Sequence, residues 1–236
     1  NMSINCSQRE ELILKAFTKM LTDDLRKQKG FIMARQIESK ERSCIREVVS
    51  IFGCVRLKAL TEYVELINRT KFSASQLVDS VVSHSMMKRF SVQHIPMVKN
   101  NPSTELDIVS ADAFEVYVLL LKESVNPAEE ASGLKISRGR YPYNYVATVG
   151  NQTNMILMYD HEGLRRLVHY NRSEDSSIED PHQTIILTLP SGYDQKHMAG
   201  AKIKGQYRVA ITRINTANHE IQCLISALYG AVKKNQ

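Results

Sequence analysis

Three cations interleave with three aromatic rings between residues 135 and 145: Lys135, Arg138 and Arg140 with Tyr141, Tyr143 and Tyr145. Cations meet phosphates and flat rings stack on unpaired bases, so this combination suits single-stranded nucleic acid. In an extended segment alternate side chains share a face, which predicts Tyr141, Tyr143 and Tyr145 on one side. Two readings compete with it. The rings can pack a sheet while the arginines face water, or Tyr and Arg can serve an acidic protein partner. Further basic groups occur at Arg165, Arg166 and Arg172 and at Lys202, Lys204, Arg208 and Arg213. They join the first into one surface if their strands lie side by side; a merely solvated face is the plainer account.

Catalytic spacings are incomplete by comparison. No G-x-G-x-x-G or G-x-S-x-G occurs, and the segment from Gly200 to Gln206 lacks the lysine and hydroxyl that a phosphate loop carries after its second glycine. His219-Glu220-Ile221-Gln222-Cys223 imitates H-E-x-x-H with a cysteine in the second ligand position, but no third ligand is evident. His182-Gln183-Thr184 is a single H-x-T element, and acid–base chemistry of that kind takes two. Asp160, His161 and Glu162 with His169 or His182 form the remaining acid–base or metal candidate, which keeps a metal-dependent hydrolase as one alternative. Turns collect the same residues for solubility. The balance favours a protein that is not an enzyme and uses no cofactor.

The elements that must position these residues change in texture near residue 95. Before it the chain has no proline and only Gly30 and Gly53; after it come all six prolines and eight of ten glycines. Uninterrupted helices are therefore expected first and a turn-punctuated fold later. Charge divides with it. Residues 1 to 100 carry 17 Lys plus Arg against 10 Asp plus Glu, whereas 101 to 236 carry 14 against 15, with seven acids and one base between 101 and 130. The organisation read from this is a basic helical module over 1–100, an acidic connecting segment over 101–130 holding a buried apolar element, and a module over 131–236 with a basic, tyrosine-rich surface. The fold class is α+β: a helical module, with a winged-helix or helix-turn-helix reading, followed by a small antiparallel sheet and a C-terminal helix.

Ser7-Gln8-Arg9-Glu10 has capping-box spacing, and Leu12, Ile13, Ala16, Phe17, Met20, Leu21 and Leu25 continue it as a helix over about 8 to 28. Ile45, Val48, Val49 and Phe52 predict a second helix ended by Gly53; Leu57, Leu60, Val64 and Ile67 predict a third. Ser73 to Gln76 repeats the capping signature ahead of a fourth, whose apolar face is Leu77, Val78, Val81, Val82, Met86 and Phe90. The fourth offers Gln76, Ser80, Ser83, His84, Met87 and Lys88 on its other face, residues of the sort that reach base edges. A protein-docking alternative uses Val78, Val82 and Met86, or the apolar stretch Phe114 to Leu121. Phe90 to Val98 reads as a short strand, Ser110 to Glu123 as a buried element, a helix with a strand as the close alternative, and Ala128 to Glu130 as a solvated loop. Strands are expected at Tyr143 to Val149, Met155 to Tyr159, His182 to Leu189 and beyond Lys202. Ile221, Leu224, Ile225, Leu228 and Val232 fit a final helix, with a hairpin as the alternative.

Cys6, Cys44, Cys54 and Cys223 show no C-x-x-C pairing, and reduced thiols are the default. No 18-residue apolar run predicts a membrane span. The function expected is intracellular, nuclear or cytoplasmic: binding of nucleic acid, single-stranded or duplex, or an adaptor role in a nucleic-acid-handling complex. A pure protein-interaction subunit is the alternative.

Overall fold

A computed structural model describes residues 40–100, 108–158, 182–189, 206–215 and 220–226. The helix expected over 8 to 28 lies outside them. Within them, helix α1 covers residues 40–52 and buries Ile45, Val48, Val49 and Phe52. It ends as its glycine requires, since Gly53 takes φ 72° and its N–H donates to the Val49 carbonyl at 2.8 Å. Strand β1 (Cys54–Arg56) follows without a loop, then α2 (Leu57–Ile67), α3 (Ala74–Ser83), β2 (Lys88–Val92) and β3 (Ile95–Lys99). The three strands form an antiparallel sheet in the order β1-β3-β2. Where one strand was expected over Phe90 to Val98 there is a hairpin. Its two-residue turn, Gln93-His94, has φ 50° and 66°, the left-handed pair that joins tightly twisted strands, but without the glycine that usually announces it.

Helix α4 (Ile108–Glu123) is the hub. Ala111, Ala113, Phe114, Val116, Tyr117, Val118, Leu120 and Leu121 are all buried, as an element apolar on every side must be. It packs on β1 and α2 and on the strands of a second sheet. The acidic stretch expected as a loop is instead α5 (Pro127–Gly133), because Pro127 presets the first turn and Glu129 and Glu130 face the positive end of the helix dipole.

The second sheet runs β4 (Ile136–Arg138), β5 (Tyr145–Val149), β6 (Gln152–Met158), β7 (Gln183–Leu189), β8 (Tyr207–Asn215) and β9 (Glu220–Ile225), each beside the next. It is mixed, not antiparallel as expected. β6–β7 and β7–β8 pair in parallel, and the chain between them, residues 159–182 and 190–206, exceeds the dozen residues that a parallel crossover needs. The expected C-terminal helix is also corrected over 220–225. These residues pair with β8, placing half-buried Cys223 and Ile225 against the core while Leu224 is exposed. Period two wins because β8 would otherwise leave its ladder groups unpaired.

One apolar cluster joins both ends of the described chain. Phe52 stacks on Tyr145 at 4.7 Å between ring centroids, and Phe114 meets both Phe52 at 5.1 Å and Tyr63 at 5.9 Å. On the opposite face of the second sheet, Tyr143 packs with Met155, Leu157, Ile185 and Leu187. No helix among the described residues is long and apolar enough to cross a membrane.

Candidate nucleic-acid interface

Two exposed surfaces carry residues expected to make contacts, and local sequence builds each. The first is α3 with the β2–β3 hairpin. Ser73 caps α3, its Oγ accepting from the Gln76 N–H at 3.2 Å while Gln76 Oε1 accepts from the Ser73 N–H at 2.9 Å. The turn before it is organised by Asn68, whose Oδ1 accepts from the Thr70 N–H at 2.9 Å and whose side-chain amide donates to the Phe72 carbonyl at 2.7 Å. Leu77, Val78, Val81 and Val82 go inward, which turns Ser75, Gln76, Asp79, Ser83 and His84 outward. Arg89 of β2 forms an ion pair with Asp79, tying the hairpin to the helix. Lys71 and Lys88 are exposed beside this face, and half-buried Lys99 lies 5.6 Å from the Phe90 ring. Residues 40 to 100 hold ten Lys plus Arg against five Asp plus Glu.

The second surface is the loop between β4 and β5. Gly139 N–H donates to the Asn144 carbonyl and Tyr143 N–H to the Arg140 carbonyl, both at 2.9 Å. Gly139 is enforced there, since a Cβ on it would lie 2.8 Å from the Tyr143 carbonyl oxygen. Asn144 Oδ1 accepts from the Met158 N–H at 2.9 Å and anchors the far side. Arg138, Arg140 and Tyr141 project from this frame, Tyr141 being 63% exposed. The Arg138 guanidinium lies 4.7 Å from the centroid of the Tyr145 ring. Neither guanidinium has an ion-pair partner among the described residues.

Several expected contact residues have other work. Tyr143 and Tyr145 are buried on opposite faces of the sheet, so the three tyrosines share no platform; the segment is extended only from Tyr145 on. Arg208 is committed to structure, its guanidinium donating to both oxygens of Glu123 at 2.6 and 2.9 Å and to the Ser226 carbonyl at 2.9 Å. Lys135 is exposed, with Nζ 3.6 Å from Glu130. Arg165, Arg166, Arg172, Lys202, Lys204, His161 and Glu162 lie outside the described residues, as does the side chain of Arg213. Of the docking candidates, Val78 and Val82 are in the core and only Met86 is exposed, at 78%; Met87, expected outward, is buried. Phe114 to Leu121 is internal. His182 is exposed just before β7, and no group of three or more His, Cys, Asp or Glu suited to a metal occurs among the described residues.

A buried ionic cluster escaped the sequence. Arg56 donates to Asp112 at 2.6 Å and pairs with Glu115 at 2.9 Å, with Arg56 only 4% exposed. A charge inside the apolar Val55-Arg56-Leu57 run, and Asp112 and Glu115 within the apolar stretch of α4, were the available signals. No protein-family model, no curated protein and no solved structure matches the chain.

Proposed function

We propose that the chain is a nucleic-acid-binding protein, working alone or as a subunit of a nucleic-acid-handling complex, whose helix–strand–helix–helix–hairpin module acts as a winged helix. The carrying observation is the element order α1-β1-α2-α3-β2-β3 with strand order β1-β3-β2, which leaves α3 and the β2–β3 hairpin as adjoining exposed elements. A helix of α3's diameter fits a major groove, where Gln76 and Ser83 offer hydrogen bonds to base edges. Lys71 and Lys88 flank the helix for phosphates, while Arg89 is held by Asp79.

The test is fluorescence anisotropy of a labelled duplex at two salt concentrations. Binding should fall steeply with salt, and Lys71→Glu with Lys88→Glu should lower the log–log salt slope by about 2. No binding at low salt, or binding indifferent to the charge reversal, sinks this reading. Phe72, 52% exposed, and Met86 flank the same face and favour a second reading in which it docks a protein. Self-association at high concentration, abolished by Phe72→Ser with Met86→Ser, is its signature; a strictly monomeric chain counts against it.

A further inference from the structure

We propose that the cleft between the C-terminal end of α4 and the β5–β6 turn binds a guanidinium group carried on an aliphatic stem, the chemistry of an arginine side chain. This site is separate from the α3 surface and does not depend on the nucleic-acid reading.

The cleft measures about 430 Å³ and is built by the end of α4, its connection into α5, the β5–β6 hairpin and β8. That volume lies within the range of small-ligand sites. Gly150 and Asn151 form a two-residue turn between the paired Val149 and Gln152. Gly150 takes φ 60°, and a Cβ on it would meet nothing within 4 Å, so this side of the cleft stays clear. The carboxamides of Asn126, Asn151, Gln152 and Asn154 line the cleft. With them stand the carboxylates of Glu123 and Glu130 and the guanidinium of Arg208.

Charge argues against an anion. Arg208 already donates to both oxygens of Glu123 and to the Ser226 carbonyl, so a phosphate or carboxylate would have to displace a formed ion pair. Glu130 and the carbonyl end of α4 both repel such a ligand. Glu130 Oε2 is buried without a hydrogen bond, since Lys135 Nζ stays 3.6 Å away. A buried carboxylate oxygen in that state calls for a donor. A guanidinium brings donors on every edge and no acceptor, and its planar fork matches a carboxylate flanked by amide oxygens. The remaining lining suits the stem. Leu120, Val149 and Val125, the last 94% exposed, give methylene groups an apolar wall. A compact ammonium or metal cation would leave that wall unused.

The test follows the side-chain amide NMR signals of Asn126, Asn151, Gln152 and Asn154 in the ¹⁵N-labelled full chain during titration with N-acetyl-arginine amide. These signals should shift and saturate by about 10 mM. N-acetyl-citrulline amide, similar in shape but uncharged, should bind about tenfold more weakly. Glu130→Gln should weaken the arginine probe by about tenfold, with an unchanged urea midpoint as the check on folding. Val125→Ser, at a solvent-facing position, should weaken it by about threefold and keeps the test alive if Glu130→Gln fails to fold. Agmatine and a pentapeptide with a central arginine distinguish the source. Tighter binding of the peptide identifies a protein partner's side chain, and tighter binding of agmatine a free small guanidine; either supports the site. No saturable shift, equal binding of the citrulline probe, or parental affinity in the folded variants overturns the proposal and leaves the α3 reading untouched.

Discussion

Burial decides the charge state of Glu115. Its side chain is 11% exposed at a cavity of about 170 Å³ between α2, α4 and β9, lined also by Lys58, Glu62 and Cys223. Burial pushes its pKa from 4.5 up to about 7 against the opposing pull of Arg56; Asp112 and Glu62 add a smaller push in the same direction. Burial also works against the Arg56 charge, but Glu115 and Asp112 together outweigh it and raise that pKa. Between pH 4.5 and 7 the folded chain therefore holds a proton that the unfolded chain has lost. Stability from this group is full below that window and falls as pH rises through it, by about 3 kcal/mol in all. Glu115→Gln keeps an acceptor for Arg56 and removes the titration, so it should be more stable than the parent at pH 8 and lose that advantage towards pH 5. Urea unfolding at several pH values checks this; an unchanged pH slope would contradict it. The same burial lifts Cys223 to about 12 and raises Cys44, so both thiols should resist alkylation in the native chain at neutral pH. The triad was illegible in the sequence because Arg56 and Asp112 are 56 positions apart, whereas the Ser73–Gln76 cap was legible because both partners lie within one turn.

At the scale of elements, α3 depends on that cap. Ser73→Ala strips the acceptor from the Gln76 N–H and should cost about 1 kcal/mol, read as a lower urea midpoint; no loss would mean that water replaces the cap fully. The β2–β3 turn carries the opposite opportunity. Gln93 and His94 occupy left-handed backbone positions that cost a side-chain-bearing residue about 1 kcal/mol each. Gln93→Asn with His94→Gly should raise stability by about 1 kcal/mol in total, without disturbing the Val92–Ile95 pair that closes the turn. A lower thermal midpoint would show that the two native side chains hold the hairpin by other means. Helices α1 to α3 were readable because an apolar stripe repeats along each of them, and Ser73 marks the start of α3; its stop was missed, since Met86 and Phe90, expected on its apolar face, lie beyond Ser83. The hairpin was not, because neither turn residue is glycine or asparagine. β9 was misread because Ile221, Leu224 and Ile225 satisfy helical spacing as well as a strand does; only the open edge of β8 distinguishes them.

For the whole molecule, Phe52 is the residue on which α1, α4 and the second sheet meet. Phe52→Ala removes a ring packed on Tyr145 and Phe114 and should cost about 3 to 5 kcal/mol. Since one apolar cluster runs from α1 to β8, the variant should still unfold in a single transition shifted as a unit. Two transitions, only one of them displaced, would show that the helical part and the sheet unfold separately.

Composition, periodicity and capping pattern alone determined that the chain mixes helices with strands, that α4 is buried, and that Ser73 and Gly53 bound their helices. These rest on interactions within a few residues, which a linear sequence states directly. Tertiary structure decided which cations remain free and which rings remain exposed. Arg208 is consumed by Glu123, 85 positions away, while Arg140 is left to solvent; Tyr143 enters a core and Tyr141, two residues earlier, does not. The choice lies with long-range burial and pairing, because a side chain of either kind is equally at home in both settings until the sheet closes over one of them.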